Sequence, residues 1–519
     1  MSGTLPTGRR TGIGLALVPL AAIAAAKLLL QLLAIGQYGY FRDELYYLAC
    51  TEHLAFGYVD HPPLSIAVLA AVRAVFGDSL VAIRIVPAVA GVATVLLTGA
   101  LARRLGGGVF AQTLAALCAL LSPQYLGTNH YFSMNSLDIL LWTVAIWFLL
   151  DALETGTPRS WIALGLTLGL ALLNKISVLW LGAGIGAGLV LTPYRRTLLT
   201  RWPWIAALTA GLLFLPHVLW QIREGWPTLE FMRNATELKM TPTAPLDFVR
   251  EQILTMNPGS APVWIVGLIA GLVGLHGARG RVLSWIYVVV LGIILTAGRG
   301  RASYLAVAYP MLFALGACSV ERAAGRARMS WLRPATATLV IVAGLPLIPL
   351  ALPVLPVETY VRYQVALGLS PGTDERQEMG ALPQHYADMF GWEGMVSLVE
   401  RAYERLTPED RQHCRVFGHN YGEAGAVDVL GRKRGLPRAL SGHNSYWIWG
   451  RDDPDTTWNV IIVIGGDRED NAAFFDSLEV VGRTANRWSM PYERGLDISI
   501  GRGPRFRRGE AWPRLREFI

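Results

Sequence analysis

The sequence predicts a mostly α-helical, polytopic membrane protein with about eleven transmembrane helices, followed by a C-terminal soluble α/β domain. Hydrophobic residues make up 53% of the 519 residues and charged residues only 16%, whereas roughly 25% of an average soluble protein is charged. The charges are unevenly placed, because residues 1–353 are about 11% charged and residues 354–519 about 27%. We therefore expect a membrane domain over 1–353 and a soluble domain over 354–519. A disordered or collagen-like chain is excluded.

Apolar runs that suit a membrane-spanning helix recur through the first domain. A spanning helix needs roughly 17–25 apolar residues. The run at 63–76 is too short, and we expect an amphipathic helix at the membrane surface there. The predicted spans are 13–35, 80–101, 109–127, 136–152, 160–174, 176–193, 203–221, 262–277, 282–297, 303–319 and 334–353.

The arginines between these runs predict the orientation of the chain. They fall in alternate connections, and the positive-inside rule places those connections in the cytoplasm. The other connections, chiefly loops 36–79 and 222–261, are then external. With an odd number of spans in the cytoplasmic (inner) membrane, the N-terminus is cytoplasmic and residues 354–519 lie outside. We expect an uncleaved first helix, because the apolar run after Arg10 continues to Ile35.

The soluble domain contains two stretches typical of buried strands. Residues 458–466 form an apolar run that ends in Gly465-Gly466, and residues 415–418 form a shorter one. Residues 443–449 are polar and aromatic. Aromatic packing of this domain on the membrane domain explains that segment, and acceptor binding is the alternative.

Composition excludes several classes of protein and site. The net charge of +8 comes from the membrane domain and reflects topology, so we expect no nucleic-acid partner. The four cysteines have neither CxxC nor metal-ligand spacing, which favours neither a disulfide framework nor a zinc site. The sequence also contains no GxxxxGK[ST] and no strand-borne GxGxxG motif for a nucleotide.

The first external loop carries an acidic pair directly beyond the first span. It reads GYFRDELY over 39–46 and YVDHPP over 58–63. In one interpretation Asp43 is the N-cap of a helix over 44–55, with Glu44 favoured by the helix dipole. In the other, Asp43 faces a cavity at the membrane surface as a base or metal ligand, with Glu44 in support. Asp60-His61 before two prolines is typical of a turn, and ligation is the alternative.

Further ionisable residues lie at the external ends of spans, where a membrane helix avoids charge unless it serves a function. Asp138 is either a helix-dipole partner or a member of a site shared with the acidic pair. Lys175, in a tight turn, either snorkels to the interface or contacts a phosphate. Arg299 and Arg301 run against the positive-inside bias and suit a phosphate anion or lipid head groups.

Carboxylates and cations on one side of the membrane suit a substrate with a phosphate leaving group and an acceptor hydroxyl that must lose a proton. An enzyme outside the cytoplasm lacks nucleotide sugars, so an activated donor would be lipid-borne. The alternatives are a polytopic transporter or flippase, whose polar groups should line a path near the membrane centre, and a non-catalytic binding protein of the same fold.

These motifs resemble the family-39-type glycosyltransferases of the GT-C superfamily, and are similar to protein O-mannosyltransferases and to the lipid A aminoarabinose transferase. The resemblance rests on the acidic-loop motif, on Ser303-Tyr304 with Tyr309-Pro310, and on LPQHYAD with FGW (382–392) and NYGEAGA (420–426). It implies a GT-C-like fold and an inverting cell-envelope transferase. The donor would be a polyprenyl-phosphate-linked hexose or pentose, and the acceptor a protein, lipid or glycan.

The resemblance also implies roles for individual residues. Asp43 would be the general base, with Glu44 beside it and Asp138 as a second acidic position. Some relatives bind a divalent metal near the acidic loop and others need none, so no cofactor and no metal ligand is predicted. The substrate-binding residues would be Lys175, Arg299, Arg301, Tyr304, Tyr58 and His61.

Overall fold

The computed structural model describes residues 14–298, 300–326, 328–373, 375–453, 458–506 and 508–519. The chain divides into two compact units, each built from separate stretches of sequence. The first unit contains the residues up to Ile35 with Arg84–Val218 and Pro242–Val354, and the second contains Gly36–Ile83, Leu219–Thr241 and Leu355–Ile519. Much of the two predicted external loops therefore belongs to the same compact unit as the C-terminal residues.

Seven helices in the described part of the chain are long and apolar enough to cross a membrane. An eighth candidate span is the pair Pro245–Thr255 and Pro258–Leu272, which bends by 98°. The polytopic, mostly helical fold is thus confirmed. The seven helices are Leu17–Ala34, Leu80–Arg104, Met134–Thr155, Trp202–Arg223, Gly277–Ala297, Ala302–Ala324 and Leu332–Ala351.

Three of the predicted spans are shorter helices, so length alone does not give the predicted number of eleven. Val109–Leu120, Pro158–Asn174 and Val178–Val190 have 12, 17 and 13 residues. At about 1.5 Å per residue, each is shorter than the roughly 30 Å hydrocarbon core. The predicted span 109–127 breaks after Leu121, because the side chain of Ser122 caps a new helix, Pro123–Thr128, by accepting from the backbone N of Tyr125.

The surface of the long helices identifies their surroundings. In helix Trp202–Arg223, Leu208, Leu212 and Leu215 are 61%, 59% and 45% exposed. A continuous apolar stripe of this kind is unfavourable in water, and it is the surface that a helix presents to lipid chains.

Small residues let the membrane helices pack backbone to backbone. A Cβ added to Gly316 would lie 1.9 Å from the carbonyl oxygen of Val263, and one added to Gly267 would lie 2.4 Å from that of Leu312. Helices Ala261–Leu272 and Tyr309–Ala324 therefore require glycine at these crossings. Van der Waals contact at such crossings holds membrane helices together where there is no hydrophobic driving force.

The second unit contains a five-stranded mixed sheet in the order β2-β1-β3-β5-β4. Strand β1 runs parallel to β2 and to β3, with Cys414 opposite Val460, whereas β5 is antiparallel to β3 and β4. All five residues of β3 are buried, as its apolar sequence predicts. The strands are Cys414–Gly418 (β1), Ala439–Leu440 (β2), Val460–Ile464 (β3), Phe475–Arg483 (β4) and Asp497–Pro504 (β5).

Helices accompany this sheet, which confirms the predicted α/β character of the C-terminal region. The helix predicted at 63–76 is present as Leu64–Phe76, and its location at the membrane surface stays a prediction. The other α-helices of the unit are Arg42–Cys50, Pro227–Asn234, Val357–Ala366, Gln384–Ala387, Trp392–Glu404, Pro408–Gln412, Tyr421–Ala426, Ser445–Asp452, Arg468–Ala473 and Arg508–Ala511.

Candidate active site

The acidic pair lies in the first turn of helix Arg42–Cys50. Oε2 of Glu44 accepts a hydrogen bond from the backbone N of Phe41 at 2.9 Å, and Glu44 is fully buried. The interpretation of Asp43 as the N-cap is wrong, because the helix begins at Arg42 and the capping carboxylate is that of Glu44, its third residue. The two neighbouring acids therefore have different tasks, and Glu44 holds the start of the helix.

Asp43 is the exposed member of the pair. Its side chain is 34% exposed, and Nε of Arg42 lies 3.9 Å from its Oδ1. The hydroxyl of Tyr421 donates a hydrogen bond to the same oxygen at 2.9 Å. A carboxylate that is held in place by neighbours and remains accessible to solvent is the arrangement that a general base requires.

A buried network fixes Arg42 beside this carboxylate. Nη1 of Arg42 donates to the hydroxyl of Tyr492 at 2.6 Å, and that hydroxyl donates to Oδ1 of Asp388 at 3.1 Å. Nη2 lies 3.8 Å from Oδ2 of Asp388, and the guanidinium lies 5.3 Å from the ring centroid of Tyr421. Burial raises the pKa of Asp388 to about 6, and the Arg42 charge opposes that rise.

Glycines in the two motifs allow the segments around Asp43 to approach. A Cβ on Gly422 would lie 2.5 Å from Cγ of Arg42, and one on Gly425 would lie 2.9 Å from the backbone C of Leu45. A Cβ on Gly39 would lie 2.3 Å from the carbonyl oxygen of Met389. The NYGEAGA segment thus packs directly on the acidic-loop helix, which the sequence motifs by themselves do not reveal.

Tyr58 and His61, predicted to bind substrate, lie inside an aromatic cluster. They are 1% and 0% exposed, and the His61 ring centroid lies 4.7 Å from that of Tyr47 and 4.9 Å from that of Tyr58. The Tyr58 hydroxyl donates to the carbonyl of His53 at 3.2 Å. This geometry gives both residues a packing role in the loop, and a direct substrate contact stays a prediction.

In the first unit, three of the predicted residues come together. Nζ of Lys175 lies 3.5 Å from Oδ2 of Asp138 and 5.4 Å from the ring centroid of Tyr304. It also donates a hydrogen bond to Oδ1 of Asn135 at 2.7 Å. Asn135 was not predicted as a site residue. Its spacing of three from Asp138 on one helix face is the signal that could have identified it.

Lys175 has the properties of an anion-binding cation. Its ammonium group has three N–H donors, and Asn135 and Asp138 account for two partners. The side chain is 15% exposed, whereas that of Asp138 is 2% exposed. A buried carboxylate therefore anchors a lysine that still reaches the surface.

The structure describes one of the two arginines predicted to bind substrate. Arg299 lies outside the described residues. The partly exposed Arg301 precedes the 3-10 turn Ala302–Tyr304, and its carbonyl oxygen accepts from the backbone N of Tyr304 at 3.0 Å. Helix Gly277–Ala297 ends before it at Gly298, which adopts a left-handed φ of 68°.

Two buried cations in membrane helices were missed by the sequence analysis. Nζ of Lys27 donates to the carbonyl of Tyr125 at 3.0 Å, and Nη1 of Arg84 donates to that of Ile35 at 3.2 Å. Both are fully buried. An ionisable residue inside an apolar run was the available signal.

A metal site receives no direct support from the donor geometry. Across the residues that the structure describes, His, Cys, Asp and Glu side chains form no cluster of three or more that could hold an ion. Cys50, Cys118, Cys318 and Cys414 are buried and free.

Sequence similarity to known proteins covers part of the chain. Residues 60–220 match the family described as dolichyl-phosphate-mannose-protein mannosyltransferase. An undecaprenyl phosphate-α-4-amino-4-deoxy-L-arabinose arabinosyl transferase of Pseudomonas fluorescens Pf0-1 is 31% identical over 171 residues, 31% of this chain and 29% of the relative. The lipid A galacturonosyltransferase RgtD of Rhizobium johnstonii is 25% identical over 280 residues, 52% of this chain and 58% of the relative. The matches thus span between 29% and 58% of these relatives.

Structural similarity extends further than sequence similarity. The crystal structure of ArnT from Cupriavidus metallidurans bound to undecaprenyl phosphate superposes with a TM-score of 0.61 at 13% identity. The superposition covers 92% of this chain and 97% of that chain. The two chains therefore share a fold over nearly their whole lengths.

Proposed function

We propose that the chain is a member of the GT-C superfamily and a glycosyltransferase of the cytoplasmic membrane, a proposal supported by the family match over residues 60–220 and by the shared fold. The proposed reaction moves a sugar from a polyprenyl-phosphate-linked donor to an acceptor hydroxyl on the outer face, with inversion at the anomeric carbon. The relatives named as arabinosyl and galacturonosyl transferases support a pentosyl or hexosyl donor.

The observation that carries this proposal is the geometry of Asp43. Its carboxylate is partly exposed, sits beside Arg42 and is fixed by the Tyr421 hydroxyl. In the proposed reaction, Asp43 takes the proton of the acceptor hydroxyl while the oxygen attacks the anomeric carbon. The bond from that carbon to the phosphate oxygen breaks on the opposite face, so one displacement inverts the configuration.

The phosphate leaving group is assigned to the cations of the first unit. We propose that Lys175, with Arg301 and Arg299, stabilises the negative charge that develops on the phosphate, which removes the need for a general acid. Asp138 and Asn135 position the Lys175 ammonium. Tyr304 covers that cation with its ring.

The remaining predicted site residues are assigned supporting roles. Glu44 holds the N-terminus of the helix that carries Asp43. Tyr58 and His61 shape the loop that follows it, from inside the aromatic cluster. None of these assigned roles conflicts with a divalent metal cofactor.

For the membrane topology we propose eleven spans, made of the eight candidates and the three shorter helices. The ends of helix Met134–Thr155 support the sidedness. Near one end, Asp151 accepts a hydrogen bond from Arg104 at 2.6 Å, and Glu154 pairs with Arg279. Arg104 and Arg279 belong to connections predicted to be cytoplasmic. Asp138 lies near the other end of the helix. Lys175 and the external connections then share the outer side with residues 354–519, and the N-terminus is cytoplasmic.

The test is donor turnover by purified protein in lipid nanodiscs. Polyprenyl-phosphate sugars would be offered with an envelope extract as the acceptor source, and free polyprenyl phosphate would be measured. We expect release by the wild type and by Glu409→Gln, an exposed control on helix Pro408–Gln412, but not by Asp43→Asn. Release by Asp43→Asn at the wild-type rate would show that Asp43 is not the general base. No release with any donor, from folded protein that binds the lipid, would favour a transporter or a binding protein.

A further inference from the structure

A cavity of about 410 Å³ lies in the second unit, beside helix Trp392–Glu404. Its other walls come from residues 483–486, at the end of β4, and from Glu493. Cavities that hold small ligands in proteins have volumes of roughly 300–1,000 Å³. The cavity is therefore large enough for a monosaccharide, and none of the roles proposed above uses it.

The walls combine aromatic rings with hydrogen-bonding groups. The lining residues include the aromatic Phe390 and Trp392, of which Trp392 is buried, and the polar Asn486 and Glu493. Aromatic faces pack against the C–H surface of a sugar ring, and amide and carboxyl groups pair with its hydroxyls. This combination favours a polyhydroxyl ligand over a purely apolar one.

Two arginines add positive charge to the same lining. Arg401 and Arg483 are both exposed. Nε of Arg483 donates to Oδ1 of Asp497 at 2.7 Å, which fixes the side chain and partly offsets its charge. The guanidinium of Arg401, a planar fork suited to carboxylate or phosphate, is therefore the main anion-binding group of the cavity.

Glu493, the acid in the cavity wall, is one of two buried glutamates that accept hydrogen bonds from the same asparagine side chain. Nδ2 of Asn420 donates to Oε1 of Glu493 at 3.0 Å and to Oε1 of Glu423 at 2.9 Å. Glu493 is 7% exposed, and burial raises its pKa to about 7. A carboxyl group that is often protonated near neutral pH can donate as well as accept, and it repels an anionic ligand less than a carboxylate does.

We propose that this cavity binds a saccharide carrying an anionic group. The sugar ring packs on Phe390, its hydroxyls pair with Asn486 and Glu493, and its acidic group pairs with Arg401. This site goes beyond the transferase proposal, and its binding is measured without reference to sugar transfer.

The cavity is connected to the acidic loop by two pairs of adjacent residues. Glu493 lines the cavity, and its neighbour Tyr492 accepts from Arg42 at 2.6 Å. Asn420 holds Glu493, and its neighbour Tyr421 donates to Asp43 at 2.9 Å. Glu493 and Asn420 thus each lie one residue away from a side chain that contacts Arg42 or Asp43.

The experiment is calorimetric titration of the full-length protein in phosphatidylcholine nanodiscs. The probes are glucuronate and glucose 6-phosphate, with glucose and inorganic phosphate as comparisons. We expect both anionic sugars to bind at one site, and each comparison to bind about tenfold or more weakly, because each lacks one half of the recognised chemistry. Arg401→Ala should weaken binding of the anionic sugars by about tenfold or more.

Matched variants separate this cavity from the other cationic site. Arg405→Ala, at an exposed arginine that follows helix Trp392–Glu404 and pairs with Glu479 of β4, should bind both anionic sugars as the wild type does. Lys175→Ala, titrated well below its lowered Tm, should also leave that binding unchanged. Loss of binding in Lys175→Ala but not in Arg401→Ala would assign the heat to the first unit and overturn the proposal. Equal binding by wild type and Arg401→Ala, or no saturable heat from either anionic sugar, would overturn it as well.

Discussion

The hydroxyl of Tyr421 donates a hydrogen bond to Oδ1 of Asp43 at 2.9 Å, across a sequence separation of 378 residues. A residue from the C-terminal part of the chain thus holds the carboxylate that we propose as the base. The acidic loop and the C-terminal residues form one compact unit, so the proposed base and the hydroxyl that holds it belong to the same unit.

Removing that hydroxyl should slow catalysis. A hydrogen bond to a charged group contributes roughly 1.5–3 kcal/mol, and we expect Tyr421→Phe to lower kcat by about 10- to 100-fold while KM for the donor changes little. Steady-state release of polyprenyl phosphate measures both constants. Tyr403→Phe, in helix Trp392–Glu404, is the control and should keep the wild-type kcat. Equal losses in the two variants would contradict the positioning role.

The pair of Lys175 and Asp138 should show coupled effects on stability. Lys175→Met leaves the buried Asp138 carboxylate without its cation, and breaking a buried pair costs about 3–5 kcal/mol. The Tm of the protein in nanodiscs should therefore fall. In the double variant Lys175→Met with Asp138→Asn, much of the Tm should return while donor turnover stays absent. Turnover restored together with Tm would mean that Lys175 only stabilises the fold.

The close packing around Asp43 predicts a steric effect. A Cβ on Gly425 would lie 2.9 Å from the backbone of Leu45, so Gly425→Ala must displace the helix that carries Asp43. We expect a loss of stability of about 1–3 kcal/mol and a fall in kcat. Gly509→Ala, where a Cβ meets nothing within 4 Å, should change neither quantity. Unchanged turnover in Gly425→Ala would show that the helix position does not limit the reaction.

The buried acid Glu493 predicts a pH dependence of stability. Its pKa is raised from the ordinary 4.5 to about 7 by burial, so the folded state holds this proton more tightly than the unfolded state does. The stability that protonated Glu493 contributes is fully present below its ordinary pKa of 4.5, and it is lost as pH rises towards 7 and above. Glu493→Gln should therefore raise Tm relative to wild type at pH 8 but not at pH 4.5. An equal difference in Tm at both pH values would contradict this assignment.

Local features of the sequence determined the membrane helices, the β3 strand and the positions of several charged residues. Long apolar runs and the cost of placing a charge in lipid depend on neighbouring residues alone, so Asp138, Lys175 and the acidic pair could be recognised as candidates. The division of labour between Glu44 and Asp43 could not be. It depends on where the helix begins, and residues 41–44 suit more than one capping arrangement.

Only the tertiary structure decided which of these residues meet. Lys175 pairs with Asp138 and lies beneath Tyr304, and Tyr421 reaches Asp43, through contacts between segments far apart in the chain. Such contacts follow from how helices pack, and the packing here depends on glycines such as Gly422 and Gly425. A glycine in the sequence does not indicate which segment of the chain will pack against it. Hydropathy and charge act along the chain and can be read from it, whereas steric fit exists only once the chain has folded.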